Sequence, residues 1–532
     1  MNGRLGYILY LSLVVSLGGF VFGFDASVIS GAVGFVTAEF SLTPLTQGLV
    51  VGAPTLGAVI STVASGALTD CYGRKRMLIA IAALYVVSAM FSAWAWNVQV
   101  LILARFIGGL AFASLVLAPM YIGEIAPSAW RGKLIAINQL NIVLGFSAAY
   151  FANYLLLQLA DQPPAWLPGL AEAPWRWMLG LELLPAVLFL LLLFRIPESP
   201  RWLYTLGRKE EAEAVLNRLM PADEVQPTLA GYQQGCCAPQ GLRQRYQQLF
   251  SPKIRFVLLL GILAGITQQI TGVNAIYFYA PMIFEQSGVG TDAAFAQAVW
   301  IGIVNVVFTL VAMLCIDRWG RRPLMLSGLV LVALSMALCV YGFSQATFSL
   351  TTQSLPALAE IAPAQQFTPL LGEVFHSDLE FKRALEQVLT PQQVIEHSAL
   401  LLQQATTINA ALILTGVLGF VAAFAISLGP VMWVLLAEIF PNRIRGVAIG
   451  FVGLINSGVS FLVQLLFPWQ LDNLGTSVTF AIYGGFAVIG GMLFYRYLPE
   501  TKGQSLEQLE RTLERRKPEG TEPMQGRVHY GK

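Results

Sequence analysis

Twelve runs of mostly apolar residues, each long enough to cross a bilayer, set the limits on what this chain can fold into. They lie at roughly 5–30, 46–69, 77–96, 98–123, 133–157, 174–195, 254–284, 294–316, 323–345, 404–437, 446–468 and 476–497. A spanning helix needs about 20 such residues, and lipid leaves only helices or closed barrels able to satisfy their backbone groups. The chain therefore reads as an all-α integral membrane protein with 12 transmembrane helices. The sixth run is continuous only with Glu182 inside it. The first lacks a small-residue cleavage site after a short core, so it reads as a span and not a removed signal peptide. Only 12% of residues are charged, about half the fraction usual in a soluble domain. A formal charge of +2, from 32 bases and 30 acids, offers no basic surface for nucleic acid.

Basic residues gather on the cytoplasmic side of membrane proteins. With a cytoplasmic N-terminus, the outer loops hold only Arg176, Lys382 and Arg383 of the 32, and Arg105 falls inside a span. Both termini are thus expected inside, in a multi-pass plasma-membrane protein, most simply of a bacterial inner membrane. The expected organisation is a six-helix half at 1–195, a cytoplasmic linker at 196–253, a second six-helix half at 254–497, and a cytoplasmic tail at 498–532. Within the linker, 206–220 (LGRKEEAEAVLNRLM) has the spacing of an amphipathic helix. An outer insertion at 346–403 carries Glu373, Asp378, Glu380, Glu386 and Glu396 and is expected to be partly helical.

Short motifs recur in the two halves. Asp70-Cys-Tyr-Gly-Arg-Lys-Arg76 is echoed by Asp317-Arg-Trp-Gly-Arg-Arg322. Glu124…Arg131-Gly is echoed by Glu438…Arg445-Gly, and Pro197-Glu-Ser by Pro499-Glu-Thr. Two duplicated six-span halves are a transporter architecture, with the substrate site between them near the midplane. No metal motif is made by the five Cys, and the three His lie outside the apolar runs. No metal, cofactor or nucleophile–base constellation is expected, and an enzyme is the poorest reading.

These motifs, with Pro197-Glu-Ser-Pro-Arg-Trp-Leu203, Pro499-Glu-Thr-Lys-Gly503 and Gln268-Gln269, resemble those of the sugar porter family of the major facilitator superfamily. The likeness covers nearly the whole chain and is strongest to bacterial sugar–proton symporters of the xylose-symporter type. It implies the major facilitator fold. It also implies a cytoplasmic gate built from Asp70, Gly73, Arg74, Glu124, Arg131, Glu198 and Arg201 in the first half. The matching gate residues in the second half are Asp317, Gly320, Arg321, Glu438 and Arg445. Their bridges would hold the inner side shut. The plainer alternative is interfacial charge that only sets topology, since exposed pairs individually contribute little.

Three ionisable groups lie well within spans: Asp25, Arg105 and Glu182. A charge inside the membrane is costly and is by default a functional hypothesis. The resemblance places Asp25 and Arg105 on the acid–arginine pair of proton-linked members, and Glu182 on an acid that accompanies it in some symporters. The alternative is a permanent bridge that merely neutralises two charges.

The second half is supplied instead with amides: Gln268, Gln269, Asn274, Asn305, Asn456 and Gln464, joined by Gln139 in span five. Amides donate and accept, which suits a neutral polyhydroxylated solute, and Trp433 offers an apolar face for a sugar ring. The resemblance puts Gln139, Gln268, Gln269, Asn274, Asn305, Trp433 and Asn456 on sugar-contacting positions, with Phe22 and Gly429 close by. Gln464 has no such match and is expected to tie helices together. Phe278 stands where many members have Tyr, and Leu428 and Ser457 where several have Trp.

Gln268 and Asn274 point about 120° apart on a straight helix, so both can touch one small sugar only if span seven bends or unwinds near Thr271-Gly272, or if the ligand fills a wide cavity. Gly429-Pro430 marks a break in span ten. The reading is a proton-linked monosaccharide importer working by alternating access, as a monomer in the lipid bilayer. A facilitator of the same fold is the closest rival, and a membrane sugar sensor a more distant one.

Overall fold

A computed structural model of the chain describes residues 2–127, 130–235, 242–252, 254–359, 361–441 and 444–501. Twelve helices in it are long and apolar enough to cross a membrane: Arg4–Phe40, Pro44–Gly66, Arg74–Ala93, Val98–Ile125, Arg131–Asp161, Pro174–Leu193, Arg255–Phe278, Thr291–Ile316, Arg321–Ser344, Ala410–Ile439, Arg445–Leu474 and Thr476–Tyr497. They are called spans one to twelve below. Each buries one face and turns another outward. In span six, Ala186, Phe189 and Leu193 are buried, while Leu184, Leu188 and Leu191 are half exposed or more. That outward stripe is as apolar as the core, as contact with lipid tails requires.

Span one continues to Phe40, well past the expected end near residue 30. No breaker interrupts residues 31–40, and the helix ends at Ser41, which has φ 48°. Its last turn is held by Glu39, which accepts from Trp175 Nε1 at 2.6 Å and from Arg176 at 2.8 Å. Span ten starts at Ala410 and not at 404. Thr406–Thr407 instead pairs antiparallel with Thr347–Phe348, pinning together the two ends of the insertion.

Several spans are broken, and proline explains two of the breaks. A proline ring clashes with the carbonyl four residues earlier and cannot donate to it. In span six the helix stops at Leu181 and resumes at Leu183, because Pro185 disrupts the carbonyl of Leu181. In span ten the helix stops at Ile426 and resumes at Leu428, because Pro430 does the same to Ile426. The expected break at Gly429-Pro430 thus falls at Ser427. Span seven does break near Thr271-Gly272: one helix ends at Ile270, Gly272 takes φ +90°, and the next begins at Val273. A further short piece, Ala280–Glu285, completes this helix.

Between spans six and seven lie the helices Pro200–Thr205, Lys209–Leu219, Ala222–Gly235 and Leu242–Leu249. The expected amphipathic helix is the second, with Ala212, Leu216 and Leu219 buried. The insertion between spans nine and ten folds around a small core of its own that includes Phe348, Leu358, Phe367, Phe381, Leu385 and Leu401. The membrane face bearing this insertion is opposite the face bearing the four linker helices.

Candidate functional site

The first half buries a three-residue charge pocket. Arg105 of span four forms an ion pair with Asp25 of span one, and its Nη2 donates to the Asp25 backbone oxygen at 3.2 Å. Glu182, at the proline-induced break of span six, faces the same two groups. All three are at most 1% exposed. Asp25 Oδ2, Glu182 Oε1 and Arg105 Nε have no hydrogen-bond partner among the described residues. Two carboxyls and one guanidinium therefore lie together in a buried pocket. Like charges that close disfavour double ionisation, and one proton on the carboxyl pair leaves the pocket neutral.

The second half gathers its amides into one connected chain. Gln268 Nε2 donates to the carbonyls of Leu428 at 3.0 Å and Gly429 at 3.3 Å, in the first turn of the helix that follows the Ser427 break. Its Oε1 accepts from Asn456 at 2.9 Å and from Gln269 at 3.3 Å. Gln269 also donates to Asn456 Oδ1 at 3.1 Å and accepts from Asn274 at 2.7 Å. Asn274 reaches Gln269 because the turn at Gly272 rotates the second helical piece back onto the first. From Asn274 the chain continues to Ser460 and on to Gln464, which donates to Ser460 at 2.8 Å. Gln464 ends on Thr55 of span two in the first half, with contacts of 3.1 and 2.9 Å. It thus ties helices together, as expected, and the two it joins belong to different halves.

Asn305 accepts from the Tyr277 hydroxyl at 3.2 Å. Gln139, Phe146 and Tyr150 lie on one face of span five by their spacing of seven and four residues. Phe146 packs against the Tyr277 ring with centroids 5.4 Å apart, and the Tyr150 hydroxyl donates to the Tyr277 carbonyl. Gln139 continues this stripe toward the linker side, where it is exposed. Phe22 packs edge-on against Phe112 at 4.6 Å and also meets Phe146. Trp433 is 45% exposed. Gln139, Trp433 and Phe22 therefore make no bond in the amide chain.

Sequence reasoning missed Tyr277, Ser460 and Thr55. The signal for Ser460 was present, since Asn456, Ser460 and Gln464 recur every four residues on one face of span eleven. No spacing marks Tyr277, which stands beside Phe278 in an apolar run.

On the linker side the duplicated motifs form twin clusters. Arg74 makes a fork to Glu124 with two contacts of 3.0 Å, and the backbone N–H groups of Arg74 and Lys75 donate to Glu198 at 2.9 Å. Arg321 likewise binds Glu438 at 3.0 and 2.8 Å, while the N–H groups of Arg321 and Arg322 donate to Glu500 at 3.1 and 3.2 Å. Gly73 and Gly320 have nearly the same backbone, φ 92° and 89°, a region glycine alone occupies readily. Asp70 pairs with Arg74 at 3.2 Å but is mostly exposed.

The in-motif pairs Glu124…Arg131 and Glu438…Arg445 do not meet: each Glu takes the Arg of a neighbouring helix end. Arg131 and Arg201 are exposed and make no ion pair among the described residues, and Arg445 donates to the Phe440 carbonyl at 3.3 Å. The Asp317 side chain lies outside the described residues. Each cluster lies within its own half. The hydrogen bonds that join the halves among the described residues sit in the middle or on the insertion side, as Thr55 to Gln464, Ser147 to the Gly302 carbonyl at 2.7 Å and Gln158 to Asp292 at 3.2 Å.

A family model described as sugar (and other) transporter matches residues 11–362 and 393–513. The chain belongs to this family. Transport, not enzyme catalysis, is what the family does. Among the relatives of this sugar-family transporter, the arabinose–proton symporter of Bacillus subtilis is 33% identical over 508 residues, covering 95% of each chain. The D-xylose–proton symporter of Escherichia coli is 31% identical over 541 residues, again covering 95% of each. A solved inward-open form of the E. coli xylose transporter superposes with a TM-score of 0.72 at 29% identity, covering 95% of this transporter and 100% of that chain. Twelve membrane helices and this membership make it a multi-pass membrane transporter of the major facilitator fold.

Proposed function

We propose that this transporter imports a neutral monosaccharide together with a proton, by alternating access, in a bacterial inner membrane with its linker side cytoplasmic. The observation that carries the reading is the division of labour between the halves. One half holds a buried Asp25–Arg105–Glu182 pocket with two acids and one base, and the other a chain of donors and acceptors with no charge in it. The relatives named above are sugar–proton symporters, which supports the same division.

In this reading sugar binds Gln139, Gln268, Gln269, Asn274, Asn305, Asn456 and Trp433, with Phe22 and the Gly429 carbonyl at the edge. A carboxylate or phosphate solute would meet no free cation there, whereas hydroxyls exchange bonds with the amides at little cost. A proton on Asp25 weakens its hold on Arg105, which turns to Glu182, and the halves rock. Glu124, Glu438 and their partners Arg74 and Arg321 brace the helix ends that come together when the inner side shuts. The organisation 1–195, 196–253, 254–497 and 498–532 follows from the same reading.

The test is proton movement in proteoliposomes. A transported pentose or hexose added outside should drive proton entry, one per sugar, in a competition panel run with and without a pH gradient. Sugar uptake with no proton movement would leave a facilitator, and binding without uptake a sensor.

A further inference from the structure

A cavity of ≈ 390 Å³ lies on the insertion side, over the seam between the halves. Three parts of the protein wall it. Thr37 and Gln47 come from the ends of spans one and two, Met282 and Glu285 from the last piece of span seven, and Lys382 and Ser398 from the insertion. The roof is seated on the second half: Asp378 accepts from the Thr476 N–H at 2.9 Å and hydroxyl at 2.7 Å, and Lys382 pairs with Asp472. Insertion residues 363–392, which carry Asp378 and Lys382, lie outside the stretches that match the family model.

Gln47 is the telling wall residue. It is only 6% exposed, and among the described residues the one hydrogen bond to its side chain runs from Nε2 to the Met282 sulfur at 3.6 Å. A thioether is a weak acceptor, so this buried amide is left short of partners, against the usual rule. Met282 and Glu285 stand three residues apart on one helical piece and so share a face, and both line the cavity together with Gln47. Glu285 makes no ion pair among the described residues; its partner is the Thr291 hydroxyl.

We propose that this cavity is a second binding site, an outer one, for the neutral polyhydroxylated solute that the transporter carries. The proposal rests on the reading of the central site given above. An amide, hydroxyls, a carboxyl and an ammonium face the space from different walls, so donors and acceptors surround it. An anion would face the carboxyls of Glu285 and Glu386, and the Lys382 ammonium is already paired with Asp472, whereas the hydroxyls of a neutral polyol can donate to carboxyls and bond the amide as well. Phe381 and Pro468 add apolar wall for the C–H face of a ring. The volume lies at the small end of ligand pockets, as a monosaccharide needs. Gln47 precedes Thr55 by eight residues, about 12 Å along a helix, and Thr55 is bonded to the central chain through Gln464. A sugar held here waits at the entrance to the seam, touching both halves and the roof.

The experiment is equilibrium binding to the purified full chain with labelled D-xylose, D-glucose, L-arabinose and myo-inositol. Wild type should bind two molecules per chain of at least one of these. Gln47→Leu and Glu285→Leu should each bind one, the outer affinity falling about ten-fold or more for loss of a buried hydrogen-bonding group. Gln268→Leu should also bind one, at the outer site. Retention of one site reports that each variant is folded. One molecule per wild-type chain, unchanged in Gln47→Leu and Glu285→Leu and lost in Gln268→Leu, would overturn the outer site and leave the carrier reading intact. No binding of any of the four to wild type would overturn both.

Discussion

Replacing Asp25 by Asn separates coupling from folding. The amide keeps the shape of the side chain, and Arg105 keeps its bond to the residue 25 carbonyl at 3.2 Å. Glu182 remains as counter-charge in the same pocket, so no cation is left buried alone, the situation that costs about 3–5 kcal/mol. The variant should therefore fold. Its pocket, however, holds one base and one acid, and is neutral without a proton in either conformation. In wild type the co-transported proton carries one charge, which across 100 mV is worth about 2.3 kcal/mol. At about 1.36 kcal/mol per decade that sustains a sugar gradient of roughly fifty-fold. The assay is uptake of labelled sugar into proteoliposomes under an imposed potential of about 100 mV, alongside exchange of labelled for unlabelled sugar with no potential. Wild type should reach roughly fifty-fold accumulation; Asp25→Asn should stop near equality while still exchanging. Accumulation by Asp25→Asn equal to wild type would refute the assignment of the proton to this pocket.

Gln464→Leu removes both contacts with Thr55 that join the halves. At about 1 kcal/mol for each net hydrogen bond, it should shift the population toward the outward-open form about thirty-fold. Faster labelling of Gln47→Cys by a membrane-impermeant thiol reagent in the Gln464→Leu background checks this, and an unchanged rate contradicts it. Burial raises the Glu285 carboxyl from 4.5 to about 7, against an opposing bond from Thr291. The folded protein then holds this proton more tightly than the unfolded chain, so its contribution is full below about 4.3, declines as pH rises, and is lost above about 7. Melting temperatures measured from pH 5 to 8 should show this decline in wild type and lack it in Glu285→Gln.

The number of spans, the duplication and the broken seventh helix were legible in the sequence because each is a local property. Twenty apolar residues in a row must become a helix in lipid, and a proline or a Thr-Gly pair disturbs its own helix wherever that helix packs. The three buried charges and the amides were legible for a related reason, as polar residues in apolar runs stand out against their neighbours. Partnership was not. Glu124 lies seven residues from Arg131 yet binds Arg74, fifty positions away, and Glu438 passes over Arg445 for Arg321.

The bundle decides which helix ends adjoin, and a charge-assisted bond forms only within about 3 Å. The same holds for Tyr277 and Thr55, whose places in the site depend on spans from different halves meeting at one depth. The insertion shows the division most plainly. Its acidic composition announced only an exposed, partly helical segment. That Asp378 and Lys382 seat it over the seam follows from Gly475, Thr476 and Asp472, some 90 residues on, arriving at the same corner. Composition and periodicity determine what each helix is; contacts between distant residues depend on the rotation and crossing of packed helices, which only the assembled tertiary structure sets.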